Sequence, residues 1–321
     1  MTRPKVLVTR KWPDAVERRL ASAYDLTLNP ADRPLTPQAL AAAMGAFDAI
    51  CPTVVDSITA DLVARDGLRV KILANYGVGV NHIDVEACRA RGIAVTNTPD
   101  VLTEATAELA LTLMLMIARR AGEGERQVRS GGWNGWGTTR LLGTTLVGKT
   151  LGVIGFGRIG QATARMAHRA LGMSVLYSSR RPARPGIEAE TGARHTPLEA
   201  LLAQSDVVTL HCPGGAETRH LINAERLAQM KPSAFLINTA RGAVVDEAAL
   251  ETALRTGAIA GAGLDVYSNE PDVPAGLLQL ENVVLLPHMG SATTETREAM
   301  GHRAVDNLDA FFAGERPLDL L

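Results

Sequence analysis

One stretch constrains the fold of this chain more than any other: residues 150–172, which read TLGVIGFGRIGQATARMAHRALG. An apolar run stops at Gly155, glycines follow at Gly157 and Gly160, and a helical pattern begins there. The spacing G-x-G-x-x-G between a strand and a helix is typical of a dinucleotide-binding unit. The first glycine permits the tight turn, the second lets a pyrophosphate approach, and the third lets helix and strand pack closely. The sequence therefore predicts a Rossmann-type parallel sheet here, with phosphates at the start of the helix.

The residues after the next predicted strand, 173–177, bear on which dinucleotide is bound. NAD-binding sheets place a carboxylate there for the ribose 2′-hydroxyl. This chain instead has Ser179, Arg180 and Arg181, and the next carboxylate is Glu188. Hydroxyls and guanidiniums suit a 2′-phosphate, although a solvated basic loop is the alternative. The missing acid favours NADP(H), with NAD(H) as the second choice.

Composition indicates an ordinary globular chain without a strongly charged partner. The chain has 321 residues, 46% of them hydrophobic, which is enough for two domains. Its formal net charge is −1, so it has no basic field that would attract nucleic acid or an anionic membrane. The three cysteines form no C-x-x-C pair, as expected in a reducing compartment, and the N-terminus has a strand pattern rather than a signal peptide. We therefore expect a cytoplasmic protein with no metal site.

The first part of the chain alternates between strand and helix patterns, which predicts right-handed βαβ units and a parallel sheet. It has no glycine fingerprint after its opening strand, so it is a poor candidate for the nucleotide domain. The helix pattern at 36–44 has Thr36 as its cap and Pro37 at its first position. The strands are predicted at residues 5–9, 25–28, 47–51, 70–74 and 93–96.

An apolar segment at 101–120 separates this part from the fingerprint. Glu104 and Glu108 make it a buried or subunit-contact helix rather than a membrane span. The helix after the fingerprint is expected to have Ile159, Thr163, Met166 and Ala170 on its apolar face. The second set of strands is predicted at residues 151–154, 173–177, 206–210, 234–238, 262–265 and 283–286.

The last predicted helix, 293–312, has no strand of its own to follow, so we expect it to pack on the first domain. The nucleotide domain would then be an insertion. The sequence thus predicts an α/β protein with two doubly wound parallel sheets. The expected domains are a substrate domain from residues 1–98 and 291–321, and a Rossmann domain from 99–290.

Three polar residues follow successive strands of the nucleotide domain: Arg241, Glu270 and His288. Carboxyl ends of parallel strands meet at one edge, where ligands bind. An arginine can anchor a substrate carboxylate, a histidine can exchange a proton near neutral pH, and a carboxylate can orient and charge that histidine. Taken singly, each could be a surface or structural residue. The chain has no G-x-S-x-G or H-E-x-x-H, so hydrolase and zinc-protease functions have no support.

With these motifs the chain resembles the D-isomer-specific 2-hydroxyacid dehydrogenases, particularly the glyoxylate and hydroxypyruvate reductases. The resemblance covers nearly the whole sequence. It implies a flavodoxin-like substrate domain, catalysis in a cleft and a homodimer joined through the nucleotide domains. Its most specific segments are ANYGVGVNHID (74–84), GIAVTNTPDVLTEATAELALTLML (92–115), LVGKTLGVIGFGRIGQA (146–162), LINTARGAVVDEAAL (236–250), GLDVYSNEP (263–271) and LLPHMGSAT (285–293).

The resemblance also implies residue roles. Arg241, Glu270 and His288 match the catalytic residues, and the substrate contacts are Val78, Gly79, Arg241 and His288. Glu270 is expected to favour the imidazolium form of His288. The predicted cofactor contacts are Val78, Thr106, Gly155, Gly157, Arg158, Ile159, Gly160, Gln161, Ser179, Arg180, Arg181, His211, Cys212, Pro213, Thr218, Thr239, Ala240, Asp265 and Gly290.

The resulting hypothesis is NAD(P)H-dependent reduction of a small 2-oxo acid. Two alternatives remain open. One is another dehydrogenase of the family, such as a phosphoglycerate-type enzyme. Its phosphorylated substrate would require several basic groups in the cleft of the first domain, and the loop of residues 75–81 contains none. The other is a dinucleotide-sensing, corepressor-like binding protein, which would have no need of the three catalytic candidates.

Overall fold

The computed structural model describes residues 3–321. Its elements divide between two compact units: the chain up to Leu102 with Ser291–Leu321, and Thr103–Gly290. We call them the terminal unit and the central unit. The first crossing lies four residues beyond the expected boundary after residue 98, because the next helix begins only at Thr103 and the turn before it stays with the terminal unit.

The terminal unit contains a five-stranded parallel sheet in the order β2-β1-β3-β4-β5, the flavodoxin-like doubly wound arrangement. The central strands β3 and β4 are buried throughout, as their continuous apolar sequences require. Thr36 caps the second helix through a bond from Ala39 N, as predicted. The elements are β1 Lys5–Val8, α1 Asp14–Ala23, β2 Asp25–Thr27, α2 Pro37–Ala46, β3 Ala49–Cys51, α3 Ala60–Val63, β4 Ile72–Ala74, α4 Val85–Ala90 and β5 Ala94–Thr96.

The central unit contains a seven-stranded parallel sheet, β12-β11-β10-β9-β6-β7-β8. The order reverses beside β6, the strand that precedes the glycine fingerprint, as in a Rossmann sheet. Its elements are α5 Thr103–Ala118, α6 Ala121–Arg129, β6 Thr150–Ile154, α7 Arg158–Leu171, β7 Ser174–Ser178, α8 Pro185–Thr191, β8 Ala193–His195, α9 Leu198–Gln204, β9 Val207–Leu210, α10 Ala224–Gln229, β10 Phe235–Asn238, α11 Glu247–Thr256, β11 Gly261–Leu264, α12 Ala275–Leu278 and β12 Val283–Leu285. The predicted fold class is confirmed.

Three details of the central unit differ from expectation. Helix α5 ends at Ala118, close to the predicted end at residue 120, but a further helix, α6, which was not predicted, follows Arg120, whose φ of 50° separates the two. Strand β8 was not predicted. The expected apolar face of α7 was wrong, since only Thr163 of its four residues is buried. The buried face consists of small residues instead, because α7 packs closely against α5 as well as the sheet.

Helix α5 lies against the central sheet with a buried face that includes Leu113 and Ile117. A Cβ added at Gly261 or Gly263 of β11 would come within 3.0 Å of these side chains, so the glycines permit the close approach. None of the helices in residues 3–321 is both long and apolar enough to span a membrane.

The last helix, α13 Thr294–Phe312, packs on α1 and β4 of the terminal unit, as predicted. Its Gly301 lies against Val16, and its Asp306 and Asp309 each lie 2.7 Å from Arg19 Nη2. Beyond it, Leu320 forms an antiparallel bridge with Thr96 of β5. The terminal unit is therefore closed by the C-terminal segment of the chain.

Candidate active site

The glycine fingerprint forms the turn between β6 and α7. Gly155 has a φ of 90°, and a Cβ there would collide with the backbone of Cys212. A Cβ at Gly160 would collide with the carbonyl oxygen of Gly155, whereas a Cβ at Gly157 would enter open space. The turn therefore needs its first and third glycines for the fold, and keeps the second position clear for a ligand.

Two further features fit a phosphate-bearing ligand at this edge of the sheet. No side chain caps the start of α7, so its first N–H groups and the positive end of its dipole are available to an anion. The hydroxyl of Thr239, after β10, is buried and has no hydrogen-bond partner within residues 3–321. Since buried polar atoms are normally paired, this hydroxyl is suited to bind a ligand. The residues present fit a dinucleotide.

The loop after β7 holds Arg180 and Arg181 in an open position. Tyr177 accepts a hydrogen bond from Ala183 N and donates one to Glu188, both at 2.7 Å. Glu188 is thus engaged by the strand's own tyrosine and does not take the place of the ribose-binding acid. The Arg180 guanidinium is 86% exposed and lies 3.5 Å from Glu217.

The loop after β9 carries His211, Cys212, Pro213 and Thr218. His211 N donates to Ile154 O at 2.8 Å, beside the glycine turn. Burial lowers the pKa of the His211 imidazole to about 3, so this ring is neutral near pH 7 and is not a proton donor there. No cluster of three His, Cys, Asp or Glu side chains suited to a metal ion occurs in the described part of the chain.

Arg241 is held by the turn that follows β10. Asn238 is 1% exposed; its amide donates to Arg241 O at 2.9 Å and accepts from Ala240 N at 3.0 Å. Burial lowers the pKa of Arg241, which the Glu270 charge opposes. Gly242 cannot carry a Cβ without colliding with the backbone at Tyr267. The turn after β10 therefore packs directly on the chain after β11, which leads to Glu270.

Asp265, directly after β11, holds the turn that presents His288. Its carboxylate accepts bonds from Met289 N at 2.6 Å and Gly290 N at 2.8 Å, and its carbonyl accepts from His288 N at 2.9 Å. These bonds support the positive φ of 55° at His288, an unfavourable conformation for a non-glycine residue. Burial raises the pKa of Asp265, which the two N–H donors and the His288 charge oppose. Thr106 of α5 lies close to Gly290.

Glu270 and His288 form a hydrogen-bonded pair. His288 Nδ1 lies 2.7 Å from Glu270 Oε2, and the two side chains are 32% and 29% exposed. The other carboxylate oxygen of Glu270 accepts from Tyr267 N at 3.0 Å. Burial acts to raise the pKa of Glu270, but the hydrogen bond and charge of His288, the Tyr267 N–H and Arg241 outweigh it and lower that pKa. The Glu270 carboxylate is therefore kept ionised next to the imidazole of His288.

The predicted substrate contacts Val78 and Gly79 lie in the terminal unit, whereas the predicted cofactor contacts Arg158, Ile159 and Gln161 open α7 and Ser179 follows β7 in the central unit. Val78 and Gly79 follow β4, at the carboxyl edge of the five-stranded sheet. Two asparagines, Asn75 and Asn97, bond to carbonyls of this loop. Neither was predicted to have a role, and neither was Asn238, although all three lie in the motifs that carry the family resemblance. The available signal was their position at the carboxyl end of a strand: Asn238 is the last residue of β10, and Asn75 and Asn97 directly follow β4 and β5.

A glycine turn suited to pyrophosphate and a histidine paired with a carboxylate, on the same edge of one sheet, are what a hydride-transfer enzyme requires. Fold and site thus define a dinucleotide-dependent dehydrogenase. Comparison with known proteins is more specific: residues 111–290 match the family model "D-isomer specific 2-hydroxyacid dehydrogenase, NAD binding domain". The chain belongs to the D-isomer specific 2-hydroxyacid dehydrogenase family, which confirms the resemblance.

Relatives that match this chain over nearly its whole length support the same family. The glyoxylate reductase of Thermococcus litoralis is 45% identical over 99% of this chain and 97% of its own. The crystal structure of a glyoxylate reductase from Paecilomyes thermophila is 35% identical, covers 100% and 99% of the two chains, and has a TM-score of 0.87. An NADPH-dependent glyoxylate/hydroxypyruvate reductase from Sinorhizobium meliloti, solved with NADP and malonate, is 39% identical, covers 100% and 97%, and has a TM-score of 0.86.

Proposed function

We propose that this chain reduces small 2-oxo acids, glyoxylate and hydroxypyruvate first among them, to glycolate and D-glycerate. The observation that carries the proposal is the hydrogen-bonded pair of Glu270 and His288 on the sheet edge that also presents Arg241. Similarity to glyoxylate reductases over nearly the whole chain supports the substrate class.

The chain's own residues account for the proton and the charge in this reaction. When bound, the nicotinamide supplies the hydride to C2 of the substrate. Arg241 stabilises the negative charge that develops on the carbonyl oxygen. His288 donates the proton that completes the hydroxyl group, and Glu270 favours its imidazolium form before that transfer. The N–H groups of Val78 and Gly79 are proposed to bind the substrate carboxylate.

NADP(H) is the proposed preferred cofactor, with NAD(H) as the alternative. Three findings support the preference: no carboxylate ends β7, Glu188 is engaged by Tyr177, and Arg180 is exposed. A 2′-phosphate could form charge-assisted bonds with Arg180 and Arg181. The Sinorhizobium meliloti relative is NADPH-dependent by name. The other cofactor contacts expected from the sequence remain predictions.

A homodimer formed through the central unit is proposed as the assembly. Large apolar side chains are exposed on α6 and in the segment after it, including Val128, Trp133, Trp136 and Leu142. Apolar exposure of this kind marks interaction surfaces, and a second copy is the partner that the family resemblance implies. A cytoplasmic location likewise remains a prediction, based on the cysteines and the N-terminal sequence.

A panel of 2-oxo acids assayed with both NADPH and NADH tests the proposed function. It should contain glyoxylate, hydroxypyruvate, pyruvate and phosphohydroxypyruvate. We expect the highest kcat/KM with glyoxylate or hydroxypyruvate and NADPH. Preference for the phosphorylated acid would indicate a phosphoglycerate-type enzyme. Dinucleotide binding without turnover of any acid would indicate a sensor and overturn the proposal.

A further inference from the structure

We propose that Asn75 and Asn97 are positioning residues that shape the loop of residues 77–79 into a binding site for the substrate carboxylate. The inference rests on the proposed function, which gives Val78 and Gly79 their role. The two asparagines act on the other side of the loop, by holding its carbonyl groups.

Asn75 is enclosed by the terminal unit and is only 1% exposed. Its amide nitrogen donates to Gly77 O at 2.9 Å and to Gly79 O at 3.1 Å. Its amide oxygen lies 2.9 Å from His82 Nε2. Because a histidine nitrogen can donate to this oxygen, His82 fixes which way the amide faces. Both amide hydrogens of Asn75 are thereby directed to the loop.

Asn97 holds the carbonyl between those two. Its amide nitrogen donates to Val78 O at 3.0 Å, and the next residue, Thr98, donates its N–H to Gly77 O at 3.1 Å. The backbone of Asn97 is itself tied to α13, since Asn307 donates to Asn97 O at 3.4 Å. Asn307 in turn donates to Asp319 at 2.9 Å. We call the hydrogen bonds from Asn75 and Asn97 to the loop carbonyls the clamp. Through Asn307 and Asp319 the clamp is anchored in the C-terminal segment.

Holding these carbonyls determines where the loop's N–H groups point. A carbonyl and the N–H of the next residue belong to one planar trans peptide group and point in opposite directions. Bonds to Gly77 O therefore direct the N–H of Val78 away from Asn75, and the bond to Val78 O directs the N–H of Gly79 away from Asn97.

The N–H groups of Val78 and Gly79 donate to no acceptor within residues 3–321. Successive free N–H groups form a concavity that binds anions, which is the chemistry a carboxylate needs. The loop thus has its three carbonyl oxygens hydrogen-bonded on one side and, within the described residues, the N–H groups of Val78 and Gly79 unpaired on the other. This is the arrangement that a preorganised anion site requires. Without the clamp, the peptide groups could rotate and present carbonyl oxygens to the carboxylate.

The test uses Asn75→Ala and Asn97→Ala, with Asn282→Ala as the matched control. Asn282 also bridges two carbonyls, those of Leu254 and Ala260, but it precedes β12 in the central unit. For the first two variants we expect the KM for glyoxylate and the dissociation constant of oxalate to rise about tenfold, as for a misaligned bond to a charged group. NADPH affinity should stay within about twofold, and kcat should change less than KM. Asn282→Ala should leave the KM for glyoxylate and the oxalate dissociation constant unchanged, and its only effect should be a lower Tm.

Oxalate binding, measured by calorimetry on the NADPH-loaded protein, keeps the two proposals separable. If the wild type reduces glyoxylate but neither variant changes KM or oxalate affinity, the positioning role is wrong and the proposed function stands. If the wild type reduces no 2-oxo acid, the proposed function fails, and oxalate binding still decides the role of the clamp. Should Asn75→Ala not fold, Asn97→Ala and Asn97→Leu, which is similar in size, uncharged and without the donor, decide it alone.

Discussion

The imidazole of His288 and the carboxylate of Glu270 are joined by a 2.7 Å hydrogen bond although they come from different strand ends, 18 residues apart. The bond lowers the pKa of Glu270 against the effect of burial. The second carboxylate oxygen of Glu270 accepts a hydrogen bond from Tyr267 N at 3.0 Å, so both oxygens of Glu270 are engaged. The geometry places an ionised carboxylate directly against the imidazole, the arrangement on which the proposed role of the pair in reduction rests.

Glu270→Gln should shift the two pH–rate profiles of kcat/KM in the same direction. Reduction needs imidazolium, so its rate falls at high pH, and without the carboxylate charge this basic limb should move to lower pH. Oxidation of the hydroxy acid needs the neutral ring, so its activity should extend to more acidic pH. The profiles are measured in both directions for wild type and variant.

These assays should stay above about pH 5. Because the pKa of Glu270 is lowered in the folded chain, its carboxylate stabilises the fold above the unfolded-state value near 4.3. That contribution to stability is lost as the pH falls through the lowered pKa of the folded state. In that range a fall in rate could come from unfolding rather than from a change in catalysis. If the chemical step limits both enzymes and neither limb moves, Glu270 serves only the fold.

Replacing Arg180 and Arg181 together with Gln should weaken NADPH far more than NADH. Each charge-assisted bond to the 2′-phosphate accounts for about 1.5–3 kcal/mol, tenfold or more in affinity. We expect a loss of roughly 100-fold for NADPH, measured by fluorescence titration, and less than threefold for NADH. Arg255→Gln, which removes an exposed arginine paired with Glu251 on α11, should change neither. Equal loss for both cofactors, or a wild type that prefers NADH, contradicts the assignment.

Two alanine substitutions should separate folding from cofactor binding at the glycine turn. Gly157→Ala places its Cβ in open space, so Tm should hardly change while dinucleotide affinity falls by at least tenfold. Gly160→Ala drives its Cβ into the Gly155 carbonyl and should destabilise the fold by roughly 1–3 kcal/mol, the usual cost of overpacking. Thermal unfolding and NADPH titration of both variants check this. A normal Tm for Gly160→Ala, or normal binding by Gly157→Ala, would be inconsistent with the geometry.

Much of this architecture was predictable because parallel strands buried on both faces are continuous apolar runs. Eleven of the strands were predicted at nearly their observed positions, and Thr36 with Pro37 marked a helix start. Strand β8 was missed because it has three residues, two of them polar and exposed. Helix α6 was missed because it has no buried residue and its sequence, AGEGERQVR, is mostly polar and contains two glycines.

The polar interactions of the candidate site were harder to predict from the sequence. Arg241, Glu270 and His288 could be singled out because each follows a strand and matches a family motif. The roles of Asn75, Asn97 and Asn238 could not be predicted, because they depend on which backbone carbonyl each side-chain amide reaches in the folded chain. The predicted apolar face of α7 was wrong because close packing against α5 and the sheet selects small residues such as Ala164 and Ala167 over larger ones such as Met166.

The most direct test of this account is the kcat/KM of glyoxylate reduction by His288→Ala relative to wild type, with NADPH affinity measured on the same preparations. General acid–base catalysis typically contributes about 100- to 10,000-fold. We predict a loss in that range in both reaction directions, with NADPH affinity unchanged. A variant that binds NADPH normally and retains glyoxylate reduction within a few-fold of wild type would contradict the assignment of His288 as the proton donor.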